Sequence, residues 1–109
     1  MKLIIKDILE NDAAVLHNQG LVIYEIINKN IIAGSSLSLS FEGIKYCTTQ
    51  FLNASIGKLY LNYEVEQIEQ LLHFENISKS INLRLIKVIK NASRAEAYDK
   101  MIHEAVAEL

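Results

Sequence analysis

The 109-residue sequence contains no proline, no tryptophan and one cysteine. A single cysteine excludes an internal disulfide and is typical of a reducing compartment. No apolar run approaches the roughly 20 residues that a membrane-spanning helix needs. The first nine residues include three charged side chains, so they form neither a signal-peptide core nor a membrane span. We therefore predict a cytoplasmic protein that does not bind a membrane.

Neither sign of charge predominates, because the chain has 11 Lys and Arg and 13 Asp and Glu, for a net charge of −2. The cations look scattered along the chain, which argues against the basic face of a nucleic-acid-binding protein. His17, His73 and His103 have no metal-binding spacing. No glycine-rich phosphate-binding pattern is present either. We therefore predict no metal, no cofactor and no catalytic residues.

Cys47 is the residue on which an enzymatic interpretation would depend. A cysteine beside a helix start could be stabilised as a thiolate nucleophile. The histidines, however, form no pattern of a catalytic dyad with it. We predict that Cys47 is a small buried core residue, and we keep a Cys47-dependent hydrolase as the weakest hypothesis.

Hydrophobic periodicity predicts alternating strands and helices in one domain covering residues 1–109. The clearest strand is Ser35–Phe41, where Ser alternates with Leu or Phe. The Ser side of this strand is either covered by something that tolerates small residues or left in water. The other predicted strands are Lys2–Leu9 and Leu71–Asn76. The predicted loops and helices are a turn at Glu10–Asp12, a helix ending near Asn30 and capped by Asn11, Asp12 or Asn18, a loop at Phe41–Gln50, a helix from Thr48 or Thr49 to about Tyr60, and a short acidic helix at Glu64–Gln70.

Ser78 opens the last predicted helical region, which reaches Leu109. It either breaks near Asn91–Ser93, where Ser93 and Glu96 have capping-box spacing, or forms one long helix whose end packs on a neighbour. The resulting order is β-α-β-α-α-β-α-α. This order favours an α/β fold, with helices packed on a small sheet of three to four strands.

Four segments carry a resemblance to a known family. Thr48–Tyr60 (TTQFLNASIGKLY) resembles the T-S-S-F-L-N-A-x-I-G-x-L-Y signature of the STAS-like family of unknown function. Gln19–Ile26 (QGLVIYEI), Leu37–Ile44 (LSLSFEGI) and Phe74–Lys90 are similar to three more of its segments, in the same order. The resemblance extends to about Ala92 and implies a STAS-like fold.

The resemblance also implies a function. STAS domains include anti-sigma-factor antagonists, several of which bind a kinase-like ATPase and are phosphorylated at the start of a helix, in a D-S-S-G motif. In this sequence Thr48 stands at the Asp position and Thr49 at the phosphoacceptor position, while Gln50 and Phe51 replace Ser and Gly. Ser40 replaces a usually acidic strand residue. The missing Asp at position 48 and the replacement at Ser40 concern the phosphorylation that the resemblance implies, and not the fold.

We therefore predict a non-catalytic regulatory module that binds a protein partner, a kinase-like ATPase of the anti-sigma type. Phosphate at a helix start meets free N–H groups and a favourable dipole, which makes Thr49 a candidate phosphorylation switch. The alternative is that one threonine is only a helix cap. The predicted contact residues are Glu42, Lys45, Thr48, Thr49, Gln50 and Asn53.

A different class of function is structural self-association, with the C-terminal helix as the seam of a homodimer. Leu71–Phe74 and the helix within Ser93–Leu109 are candidate contact surfaces. Either could equally be part of the core.

Overall fold

The computed structural model describes the backbone of residues 1–107 and the side chains of residues 1–93. The elements alternate along the chain as an α/β protein, which confirms the predicted fold class. Their bounds are β1 (Lys2–Ile4), α1 (Ile5–Leu9), β2 (Ala13–Ala14), α2 (His17–Ile32), β3 (Leu37–Ser40), β4 (Tyr46–Cys47), α3 (Thr49–Leu52), a π-helical turn (Asn53–Gly57), α4 (Lys58–Asn62), α5 (Val65–Leu71), β5 (Leu72–Glu75) and α6 (Lys79–Ala107).

The main sheet has three parallel strands in the order β1-β3-β5. The predicted strands Ser35–Phe41 and Leu71–Asn76 are confirmed with slightly shorter bounds. In the observed register Leu39 lies between Leu3 and Phe74, so these side chains share one face of the sheet. Leu3 and Leu39 are buried and Phe74 is half-buried. This apolar face is the side of the sheet that packs into the core.

The opposite face of the sheet carries the serines of β3. Ser38 is flanked by Lys2 and His73, both exposed. Ser40 is buried, and its Oγ accepts hydrogen bonds from the Asn76 side chain (3.0 Å) and the Glu42 backbone (3.2 Å). The middle of the serine face is thus in contact with water, and its carboxyl end is closed by the loops that follow β3 and β5.

A second, two-stranded parallel pair joins β2 to β4, with Ala14 opposite Cys47. Both strands were missed, because the predicted loop Phe41–Gln50 contains β4. The backbone of Asp12 extends the pairing, since its carbonyl accepts a 2.8 Å hydrogen bond from the Lys45 N–H. Two-residue strands are too short to show alternation, so only the pairing of distant segments reveals them.

The predicted strand Lys2–Leu9 is wrong over its second half, which is α1. Ile5 is fully buried and Leu9 packs against the core, and the i, i+4 spacing of these two residues places them on one helix face. Glu10 ends the helix in the left-handed conformation (φ 53°). The predicted turn at Glu10–Asp12 follows. Apolar residues at positions 4, 5, 8 and 9 are compatible with the periodicity of a helix and with that of a strand. The partner strand β3 has only four residues, so it can pair with only a short β1.

The sequence suggested Asn11, Asp12 or Asn18 as the cap of α2, and this prediction is wrong. Leu16 is the N-cap residue, and the Gln19 side chain accepts hydrogen bonds from the N–H groups of Leu16 (2.9 Å) and Val15 (3.0 Å). At the other end Gly34, at φ 71°, provides the predicted exit. Gln19, at the third helical position, thus reaches back to the N–H groups of the N-cap residue and of the residue before it.

Residues 49–62 form one continuous helical segment that contacts both α2 and α6. Its middle is a π-helical turn, in which the buried Ser55 hydroxyl donates to the Phe51 carbonyl at 2.8 Å. Such a bond to the preceding turn widens or bends a helix. The segment supplies much of the core through Phe51, Leu52, Ile56 and Leu59, each at 0% exposure.

The last helix continues through Asn91–Ser93, so of the two alternatives the structure selects one long helix and not a break. The predicted start at Ser78 is confirmed, and its hydroxyl caps α6 by accepting a 3.2 Å hydrogen bond from the Ile81 N–H. Ser93 is interior to α6 and opens no second helix with Glu96. Leu85 and Val88 bury the inner face of α6 against the core. The predicted dimer seam within Ser93–Leu109 lies almost entirely outside the described side chains.

Candidate functional site

Thr48 is the N-cap of α3, and its hydroxyl is used in both directions. Its Oγ1 accepts a hydrogen bond from the Phe51 N–H at 3.1 Å and donates one to the Val15 carbonyl at 2.7 Å. The first bond satisfies a free helix donor, and the second joins α3 to the residue that follows β2. Of the two alternatives for the cap, the structure selects Thr48.

Thr49 is the first residue of α3 and is exposed to solvent. No hydrogen bond of its hydroxyl is found among the described residues. Gln50 and Asn53 are exposed on the same helical segment. Three of the six predicted contact residues therefore lie together at one helix start, with Thr48 anchoring them from below.

A groove of about 570 Å³ runs beside this helix start, at the carboxyl ends of β2 and β4. It brings together three parts of the chain that are far apart in sequence. The lining residues are Ala13, Val15, Lys45, Tyr46, Cys47, Thr48, Ser80 and Arg84. Crevices at the carboxyl ends of parallel strands commonly form binding sites in α/β proteins, which makes this groove the candidate functional site.

Arg84 is the residue of the site that sequence reasoning missed. Its guanidinium donates a 2.7 Å hydrogen bond to the Cys47 carbonyl and fixes α6 against the end of β4. Only the fold brings position 84 to position 47, so no local signal could have found it. Tyr46, 64% exposed on the rim, was missed because its strand was read as loop.

Cys47 is a core residue with 3% of its surface exposed, as predicted. Burial raises the pKa of its thiol to about 11, although the nearby Arg84 charge acts in the opposite direction. The thiol is therefore protonated near neutral pH. None of the described residues lining the groove is a histidine that could deprotonate it. The groove thus lacks an activated nucleophile at this position.

Neither Lys45 nor Glu42 belongs to the helix start, and they differ in their relation to the groove. Lys45 lines the groove and lies 3.8 Å from the Asp12 carboxylate, in an ion pair that is largely exposed. Glu42 is exposed in the turn after β3 and does not line the groove. The six predicted residues therefore divide into the helix start, the groove rim at Lys45, and the separate Glu42.

The described residues hold few features of other kinds of site. Within residues 1–93, no three His, Cys, Asp or Glu side chains cluster so as to hold a metal ion. In the part of the chain that the structure describes, no helix is long and apolar enough to cross a bilayer.

Comparison with known proteins links this geometry to one family. The family of the STAS-like domain of unknown function matches residues 19–82, which is more than half of the chain. The match includes the helix start at Thr48 and Thr49, together with Ser80 of the groove, whereas β1, α1 and β2 precede it. Neither the curated proteins nor the solved structures give a significant match. The extent of the family match shows that the chain belongs to the STAS-like domain family of unknown function.

Proposed function

We propose that the chain is a regulatory protein-binding module whose partner is a kinase-like ATPase of the anti-sigma type. The observation that supports this function most directly is the difference between the two threonines at the helix start. Thr48 is committed to the fold through two hydrogen bonds, while Thr49 is exposed beside it. An accessible hydroxyl on a fixed helix start is the arrangement that a phosphorylation switch requires.

The charge around this position suits a switch as well. Lys45 and Arg84 are exposed on the groove next to Thr48, so the unmodified surface favours an acidic partner. A phosphate on Thr49 would add about −1.5 to −2 charges to that surface. It would weaken an acidic partner's binding by reducing the attraction from these two cations.

The test is recovery of the tagged full chain from its own host, followed by intact-mass measurement of the bait and of every protein recovered with it. Supporting results are a co-purifying ATP-binding protein and a bait population carrying one added phosphate. The phosphate should be absent from Thr49→Val, which keeps the side-chain shape, and retained in Thr49→Ser. Thr48→Ser, which keeps the cap, is the matched control and should retain it.

Binding of the recovered partner to Thr49→Glu then tests the switch separately from the partner. We expect weaker binding than to wild type, measured by calorimetry. Equal binding would contradict the switch but leave the partner assignment standing. A bait recovered alone, with only its own mass, would contradict both.

A further inference from the structure

Charged residues are segregated along the second half of the described chain, contrary to the scattered distribution inferred from the sequence. Residues 59–78 contain no Lys or Arg, and residues 79–93 contain no Asp or Glu. The structure exposes Glu64, Glu66 and Glu69 of the first stretch and all four cations of the second, Lys79, Arg84, Lys87 and Lys90. The chain therefore carries one acidic surface and one basic surface.

The acidic surface is built by α4 and α5, which pack against each other. Its members are Leu61, Glu64, Glu66 and Glu69, all of which are exposed. Leu61 is 55% exposed, so the acidic surface also has an apolar contact point.

The basic surface is the outer side of α6, away from the buried Leu85 and Val88. Its members are Leu83, Arg84, Ile86, Lys87 and Lys90, all of which are exposed. Leu83 is 59% exposed and Ile86 is 41% exposed. They line a depression of about 390 Å³ together with Arg84 and Lys87. An apolar depression rimmed by cations fits an apolar side chain flanked by carboxylates.

Within the described part of the chain, none of these charges forms an ion pair, although the Arg84 guanidinium donates to the Cys47 carbonyl. Its ion pairs are Lys2–Glu75 and Lys45–Asp12, neither of which involves the acidic or the basic surface. Both surfaces are thus available for contact with another molecule, and their charges are opposite in sign.

We propose that two copies of this chain associate head to tail, with the acidic surface of one copy on the basic surface of the next. Leu61 enters the depression between Leu83 and Ile86, and Glu66 and Glu69 face Lys87 and Lys90. Because the two surfaces differ, the contact is heterologous and gives a closed ring or an open chain, depending on the rotation between copies.

A second copy fits these observations better than the other partners of basic helices. A nucleic acid would meet a protein of net charge −2 whose acidic surface repels phosphate. A bilayer surface would need a broad apolar helix face, whereas this surface offers two exposed apolar residues. The proposal does not rest on the function proposed for Thr49, and the groove beside Thr48 and the basic surface share only Arg84.

The test is the mass of the full chain in solution, measured by light scattering or sedimentation. Wild type is expected to exceed its monomer mass of 12.4 kDa at low salt. It should return to monomer when salt rises from about 10 mM to about 1 M, which shortens the Debye length from roughly 30 Å to 3 Å. Charge reversal of either surface should have the same effect as salt.

Two variants and their mixture give the decisive comparison. Lys87→Glu with Lys90→Glu makes both surfaces acidic, and Glu66→Lys with Glu69→Lys makes both basic, so each variant alone should be monomeric. Mixed in equal amounts, the two should associate again, because each then meets a complementary surface. Lys29→Glu, on α2 and outside both surfaces, is the control and should behave as wild type.

Three outcomes would overturn the proposal. The first is a wild-type protein that stays monomeric at low salt and at a concentration on the order of tens of micromolar. Another is an oligomer that both reversals leave unchanged, which would place self-association elsewhere on the chain. The last is a pair of monomeric variants that do not associate when mixed, since loss of charge complementarity would then not explain their behaviour.

Discussion

Replacing Thr48 by Val removes a hydroxyl while keeping the β-branched shape of the side chain. In the folded protein that hydroxyl accepts from the Phe51 N–H at 3.1 Å and donates to the Val15 carbonyl at 2.7 Å. The variant therefore loses a helix cap and the hydrogen bond that ties α3 to the residue after β2. Both losses fall on groups that are at least partly buried, where water replaces a partner incompletely.

The expected cost follows from these two bonds. Loss of an N-cap costs typically about 1 kcal/mol, and loss of a partly buried hydrogen bond costs about 1 kcal/mol more. We expect Thr48→Val to lower the free energy of unfolding by about 2 kcal/mol. For a domain of this size that corresponds to a decrease in Tm of roughly 8 °C, at about 4 °C per kcal/mol.

Thermal and urea unfolding, followed by far-UV circular dichroism, measure this difference. Thr48→Ser keeps both hydrogen bonds and should stay within about 0.5 kcal/mol of wild type. Thr49→Val should also stay within about 0.5 kcal/mol, because the exposed hydroxyl of Thr49 contributes little to the fold. If Thr49→Val were the destabilised variant and Thr48→Val the neutral one, the assignment of cap and free hydroxyl would be reversed.

Two further predictions concern the core. A Cβ added at Gly20 would lie 2.7 Å from the Phe51 carbonyl oxygen and from the Ala54 Cβ. Gly20→Ala should therefore destabilise the fold by about 1–3 kcal/mol, offset by up to about 1 kcal/mol from the higher helix propensity of alanine. An unchanged urea midpoint would show that α2 is not so close to α3 and the π-helical turn. The pKa of Cys47 rises from 9.0 to about 11 on folding, so the folded state binds this proton more tightly than the unfolded state. The resulting contribution to the free energy of unfolding is complete below pH 9 and is lost as pH rises toward 11. At roughly 1.4 kcal/mol per pKa unit this amounts to about 2–3 kcal/mol. Wild type should therefore lose that much more stability than Cys47→Ala over this range, and parallel pH profiles of the two proteins would contradict the buried thiol.

The clearest strand and two of the helix starts were predictable because their signals lie in neighbouring residues. The alternation in Ser35–Phe41 identified β3, and the threonines at 48 and 49 and the serine at 78 located two helix starts. The signature within Thr48–Tyr60 indicated the family that the comparison confirms. The predicted order of elements failed where short segments depend on distant partners, as β2 and β4 do.

The candidate site was predictable only in part, for the same reason. The helix start could be located from residues 48–53 alone. The groove beside it needs Val15 and Arg84, which lie more than 30 residues from Thr48 in opposite directions along the chain. The acceptors in these contacts are the backbone carbonyls of Val15 and Cys47, bound by the Thr48 hydroxyl and the Arg84 guanidinium. Every residue carries such a carbonyl, so the sequence contains no signal for either pairing.

The amino-acid sequence by itself determined an α/β domain of the STAS-like family, with a capped helix start after Cys47. These features depend on periodicity, capping and a contiguous signature, each carried by residues close together in the chain. Tertiary structure alone decided that Thr48 and not Thr49 is held in the fold, because the acceptor is the carbonyl of Val15, which follows β2 and is distant in the sequence. It also decided that Leu61, Leu83 and Ile86 stay exposed, since the core fills from the other faces of their helices.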